Sequence, residues 1–103
     1  MPQSLSRVLV HLVFSTKNRE RLLTPAIQRE LHPYLATVLD NFECPSLQVD
    51  GIEDHVHLLF GLARTHTISE VLERVKTTSS EWVKTKGSCF ANFHWQADYG
   101  VFP

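Results

Sequence analysis

The segment Asp54-His-Val-His-Leu-Leu-Phe-Gly-Leu62 alternates in a way that only a β-strand uses well. Successive side chains of a strand point to opposite faces, so Val56, Leu58, Phe60 and Leu62 would form one face, entirely apolar. His55, His57, Leu59 and Gly61 would form the other. A slip of one residue would turn the whole apolar set to solvent, so the register is strongly specified. Both histidines are thereby directed away from the core.

The neighbouring segments extend this strand into a sheet. Residues 46–52, after Pro45, read as a strand, and the link through Gly51 to Asp54 is short enough for a hairpin. Residues 8–16, Val-Leu-Val-His-Leu-Val-Phe-Ser-Thr, are rich in β-branched and apolar side chains. If Val8, Val10, Leu12 and Phe14 face a core, His11 and Ser15 lie on the opposite face. Two helices complete the pattern. Thr24-Pro25 is an N-cap followed by proline at the first helical position, and Ile27, Leu31, Tyr34, Leu35, Val38, Leu39 and Phe42 recur at helical spacing to about residue 41. Pro33 is expected to bend that helix. Thr67-Ile-Ser-Glu70 is a capping box opening a second helix with a stripe of Ile68, Val71, Leu72, Val75, Trp82 and Val83, predicted to run to about Lys86 and close at Gly87. The tail from Phe90, with Phe93, Trp95, Tyr99, Val101 and Phe102, reads as irregular chain entering a fourth strand. The order βαββαβ predicts an α+β ferredoxin-like sandwich, an antiparallel sheet with both helices on one face and the other face open.

Composition narrows the class. Residues 1–103 suit a single compact domain, and a hydrophobic share of 43% with 20% charged residues suits a soluble globular protein. Apolar runs such as Val56 to Phe60 are far shorter than the roughly 20 residues of a membrane helix. The opening Met-Pro-Gln-Ser-Leu-Ser-Arg7 lacks a basic stretch followed by an apolar one, so a cytoplasmic location without membrane association is expected. Cys44 and Cys89 stand in unrelated contexts and are expected to be reduced thiols. With four glycines there is no phosphate-binding glycine loop, and no Ser-His-Asp motif supports hydrolysis. A net charge of −1 means that any nucleic-acid site must be a local patch. One candidate is Lys17, Arg19 and Arg21, with Arg7 upstream, and a second is the series Arg74, Lys76, Lys84 and Lys86, interleaved with Glu73 and Glu81.

Two imidazoles two residues apart on one strand face can bind a single metal ion, although surface histidines alone also produce this pattern. His55 and His57 are the candidate ligands. Asp54 could join them or orient one of them, and His11 lies on the same open face if the first and third strands are neighbours. Imidazole suits zinc, copper, nickel and iron, whereas oxygen-rich sites suit magnesium and manganese, and a phosphodiester substrate would add oxygens. A metal there would act as a Lewis acid on a phosphate. Hydrolysis by metal-bound water, using His11, His55, His57 and Asp54, is also open chemically.

Four segments in order resemble one family. They are His11-Leu-Val-Phe-Ser-Thr-Lys-Asn-Arg19, Asp54-His-Val-His-Leu-Leu-Phe60, Lys76-Thr-Thr-Ser-Ser-Glu-Trp82 and Phe93-His-Trp-Gln-Ala-Asp-Tyr-Gly-Val-Phe102. Together they are similar to the single-tyrosine HUH transposases, the insertion-sequence-200-like group that includes the REP-associated tyrosine transposases of mobile elements. The resemblance implies a metal-dependent DNA strand transferase acting on single-stranded DNA hairpins, with His55 and His57 binding Mg2+ or Mn2+. It also implies a homodimer pairing through its sheets, and a phosphotyrosine intermediate formed by a tyrosine on a further helix, near a glutamine that ligates the metal. Neither of those two residues has a counterpart among residues 1–103. Tyr34 is expected in the core, and Tyr99 matches the family's Trp-Gln-x-x-Tyr-Gly segment, which leaves it a poor substitute nucleophile. The expectation is therefore a C-terminally shortened transposase with impaired cleavage, the alternative being a non-enzymatic nucleic-acid-binding or dimerising remnant. Lys17, Arg19, Arg21, Lys76 and Trp95 are the candidate DNA contacts, with Trp95 either stacking on unpaired bases or packing in the core.

Overall fold

The computed structural model describes residues 8–97 and 99–102. Four strands and two long helices follow the predicted order: β1 (Val8–Ser15), α1 (Pro25–Asn41), β2 (Ser46–Ile52), β3 (His55–Leu62), α2 (Ile68–Lys84) and β4 (Gly100–Phe102). Single 3-10 turns occupy Lys17–Arg19 and Ser88–Phe90. The strands hydrogen-bond in the order β2-β3-β1-β4, all adjacent pairs antiparallel, which is the ferredoxin-like arrangement. Arg7, named above beside the basic loop, lies outside the described residues.

Alternation is obeyed at the centre of the sheet. Val10, Leu12 and Phe14 of β1 and Val56, Leu58 and Phe60 of β3 are buried together, cross-paired as Val10 with Phe60, Leu12 with Leu58 and Phe14 with Val56. Ile27, Leu31, Leu35 and Leu39 of α1 and Val71, Leu72, Val75 and Val83 of α2 close over them. Each such side chain contributes about 1.5–3 kcal/mol by leaving water, which makes this layer the main source of stability. Val8 departs from its expected place in the core. It keeps the inward register but ends β1 opposite Leu62, and is 61% exposed.

The helix starts follow the cap chemistry. Thr24 accepts from the Ile27 amide at 3.3 Å, and Thr67 and Glu70 make both bonds of the capping box, at 2.8 and 3.1 Å. α1 continues unbroken through Pro33, whose ring faces solvent. Tyr34 departs from its expected place in the core: it is half-buried and stacks on Trp82 of α2 at the edge of the helix layer, with ring centroids 5.1 Å apart. α2 stops at Lys84, two residues before the predicted end, because Thr85 turns its hydroxyl back onto the Trp82 carbonyl at 2.6 Å. Its buried stripe also contains Ser79, a polar residue that the apolar spacing could not reveal.

β2 and β3 are joined by Glu53-Asp54 alone, a two-residue hairpin turn with Ile52 paired to His55. Gly51 makes this junction possible, since a Cβ there would collide with the carbonyl oxygen of His55. The turn is pinned from two other segments. Thr16, fully buried, donates its amide to the Asp54 carbonyl at 2.9 Å, and the Leu23 amide donates to the Glu53 carbonyl at 3.0 Å. The Gln96 amide donates to the Ser15 carbonyl and the Lys17 amide to the His94 carbonyl, which brings the C-terminal segment to the same place. The two free cysteines are placed differently, Cys44 buried and Cys89 exposed. Among the described residues no helix is long and apolar enough to cross a membrane.

Candidate metal centre on the open sheet face

Because β3 has its apolar face in the core, His55 and His57 stand side by side on the uncovered face, their ring centroids 4.8 Å apart. β1 supplies Ser15 opposite His55, Val13 opposite His57 and His11 opposite Leu59. The predicted placement of His11 on this face holds, and its ring centroid lies 5.3 Å from that of His57. His11 Nε2 and His57 Nδ1 share a hydrogen bond of 3.1 Å. On the other side, Asp54 Oδ1 and His55 Nδ1 are hydrogen-bonded at 2.8 Å. Each histidine of the pair is therefore held through its Nδ1, and Nε2 of each takes no part in these bonds.

That pattern suits metal ligation, in which a histidine is fixed by a partner on its other ring nitrogen. Among the described residues no group of three or more His, Cys, Asp or Glu side chains is arranged to hold a metal ion. In this geometry Asp54 and His11 each hold one of the two histidines. The donor set offered is thus two imidazole nitrogens, a half-site that a phosphate oxygen could complete.

Electrostatics favour the required protonation states. The hydrogen bond with His55 holds the Asp54 carboxyl below the usual carboxylate range, with help from the charges of His55, Arg19 and Arg21 and against the opposing effect of burial. Burial lowers the His57 pKa from its ordinary value, the charges of His55 and His11 lower it further, and Asp50 opposes them. A neutral His57 keeps a ring lone pair for a ligand bond.

The basic loop comes to the same end of the sheet. Arg19 Nη1 lies 3.8 Å from Asp54 Oδ2, and Arg21 Nη1 lies 3.7 Å from Glu53 Oε1, with the two arginine side chains 69% and 75% exposed. Ion pairs with arginines this exposed are weak, so the guanidinium groups can turn to a phosphate at little cost. Lys17 is exposed on the same loop. Asn18 and Arg19 adopt the left-handed region, with φ 59° and 57°, where the loop bends across the strand end.

Lys76 and Trp95 are not part of this surface. Lys76 Nζ donates to the Gln96 carbonyl and sits 5.5 Å from the Phe14 ring centroid, on the helix side of the sheet. Trp95 is 9% exposed, donates its indole N–H to Ser79 Oγ at 3.0 Å and meets Phe14 and Phe93 edge-on. Its place in the core corrects the expectation of a base-stacking contact: both its polar atom and its ring are committed to internal partners. Tyr99 is 42% exposed just before β4 and lies outside the hydrogen-bonded group of His11, His55, His57 and Asp54.

Residues missed in the sequence also stand here. β2 aligns Asp50 with His57 and Gln48 with Leu59 on the open face. A depression of about 260 Å3 lies between His11, Gln48, Asp50, His57 and Leu59. The signal was alternation within residues 46–52, obscured because β2 is mostly exposed and carries an irregularity between Ser46 and Gln48.

Residues 4–103 match the model of the family described as transposase, IS200 like. Two solved structures share the fold. A candidate transposase from Deinococcus radiodurans R1 is 22% identical, with a TM-score of 0.84 over 94% of this chain and 78% of its own. A REP-associated tyrosine transposase bound to a REP hairpin is 14% identical, with a TM-score of 0.66 over 91% of this chain and 54% of its own. No curated protein matches the chain.

Proposed function

The chain belongs to the IS200-like transposase family, and on that footing we propose that it serves DNA transposition by binding single-stranded DNA hairpins at the open sheet face and supporting their metal-dependent cleavage and rejoining. The observation that carries this reading is the pair His55 and His57, each fixed through Nδ1, by Asp54 and by His11, beside an arginine loop. Two imidazoles alone suit softer ions, and it is the phosphate oxygens of a bound strand that would complete a mixed set fit for Mg2+ or Mn2+. When bound, such an ion would polarise a phosphodiester and neutralise developing charge.

The chain's own residues do the rest. His55 and His57 would hold the ion, Asp54 keeps the His55 ring in one tautomer, and His11 steadies His57. Lys17, Arg19 and Arg21 would hold phosphates on either side of the scissile position, which sets strand position rather than sequence preference. Tyr34 stacks on Trp82 in the helix layer, and the reading assigns it no role in the covalent step. Tyr99 receives none either. A second copy of the chain is the proposed protein partner, since Leu9, Leu47, Ile52 and Val101 expose apolar surface on or near the sheet edges, and the cytoplasm is the proposed location.

The test is fluorescence anisotropy with a labelled single-stranded hairpin in Mn2+, followed by a denaturing gel for cleaved or protein-linked strands. Binding that depends on Mn2+ and falls sharply in a His55→Ala, His57→Ala double variant supports the reading. Binding indifferent to both would leave a metal-free nucleic-acid-binding domain, and no binding at all would remove DNA from the account.

A further inference from the structure

The depression beside His57 differs chemically from the surface around it. Its far wall is β2, where Gln48 and Asp50 project from the same face, two residues and so about 7 Å apart along the strand. Its floor is apolar and aromatic, from Leu59 and the His11 ring. Asp50 Oδ1 accepts the Gly51 amide at 2.9 Å, which fixes the carboxylate and leaves Oδ2 outside that bond. A carboxylate repels phosphate, so the depression is not a continuation of the arginine surface. At about 260 Å3 it is below the range of drug-sized pockets, roughly 300–1,000 Å3, and has room for one planar ring system.

Resting on the reading of the open face as a single-stranded DNA surface, we propose that this depression is a nucleobase subsite that selects an unpaired guanine next to the phosphate held at His55 and His57. Guanine presents two adjacent donors, N1–H and the N2 amino group, to a carboxylate, which accepts both. Its O6 accepts a bond from a side-chain amide, here Gln48. Adenine and cytosine each place a ring acceptor where guanine has N1–H, and that lone pair would face the Asp50 carboxylate. An aromatic ring and an apolar floor are what unpaired bases stack on. Asp50 and Gln48 would thus supply sequence preference, while Lys17, Arg19 and Arg21 supply sequence-independent hold.

The experiment measures anisotropy of thymidylate oligonucleotides of equal length, each carrying one guanine, inosine, adenine or cytosine, against the wild type, Asp50→Asn and Gln48→Leu. Asp50→Asn keeps the side chain's shape and its acceptor for the Gly51 amide, and circular dichroism melts check that each variant folds. The expected result is guanine bound about tenfold more tightly than the other three, inosine weakened because it lacks the N2 amino group. Asp50→Asn should abolish that preference, and Gln48→Leu should reduce it. Binding of every oligonucleotide without preference, or a preference that Asp50→Asn leaves intact, overturns the guanine subsite while DNA binding stands. Failure of any oligonucleotide to bind overturns both.

Discussion

The two faces of one sheet obey different rules in this protein. On the helix-covered face Leu12, Phe14, Val56, Leu58 and Phe60 are sealed from water, in one cluster with buried residues of both helices. Across the same strands, His11, Val13, Ser15, His55, His57 and Leu59 are only partly buried, and His11 bonds to His57 while His55 bonds to Asp54 at the strand end. The backbone and the register are common to both. What differs is that the first face is chosen for volume and the second for chemistry, so substitutions should separate cleanly by the parity of their position.

The sharpest way to break that contrast is a pair of alanines at adjacent positions. Phe60→Ala should cost about 3–5 kcal/mol in urea denaturation, because it empties a fully buried site. Leu59→Ala, one residue away on the open face, should cost less than about 1 kcal/mol. Equal losses would mean that the open face is as structural as the core.

A second effect belongs to the open face alone. Asp54→Ala removes the carboxylate that holds His55 Nδ1 at 2.8 Å and should weaken Mn2+ binding by about 10- to 100-fold with little change in melting temperature. A large loss of stability with unchanged affinity would make Asp54 a turn residue only.

Ser79 tests the opposite assignment. Ser79→Ala leaves the buried Trp95 N–H without its acceptor and should cost about 1–2 kcal/mol, with DNA affinity unchanged. Reduced DNA affinity at full stability would return Trp95 to the binding surface.

The smallest expected effect is a pH dependence on the helix layer. Burial lowers the His32 pKa in the folded state against the opposing charge of Asp50, and its Nε2 is buried without a partner among the described residues, so folding favours the neutral ring. The unfolded chain then binds more protons as pH falls below about 6.5, and stability declines from there toward the lower folded value. Melts between about pH 7 and pH 5.5 should fall less steeply in His32→Gln. An unchanged slope would place the dependence in the open-face histidines instead.

How much of this was readable in the sequence depends on which signal each residue carries. The core strands, both caps and the direction of His55 and His57 follow from apolar periodicity, which is a local property of the chain. The burial of Ser79 and Thr16 was not legible, and the choice for Trp95 between core and surface stayed open, since their reasons are hydrogen bonds to residues remote in sequence, Trp95 to Ser79 and Thr16 to Asp54. Asp50 and Gln48 were missed because an exposed edge strand carries little hydrophobic contrast to mark its faces. The tie of Asp54 to His55 was half visible: orienting one histidine was among the roles its proximity allowed, and the bond to Nδ1 specifies which ring and which nitrogen it holds.

The most direct test of the claim that the open face is a metal-dependent nucleic-acid site is titration calorimetry with Mn2+ on the wild type and on His57→Ala, with a melt of each. The account predicts saturable binding by the wild type, its loss in His57→Ala, and nearly equal melting temperatures. Wild-type protein that takes up no Mn2+, or a variant that binds it as well, would contradict it.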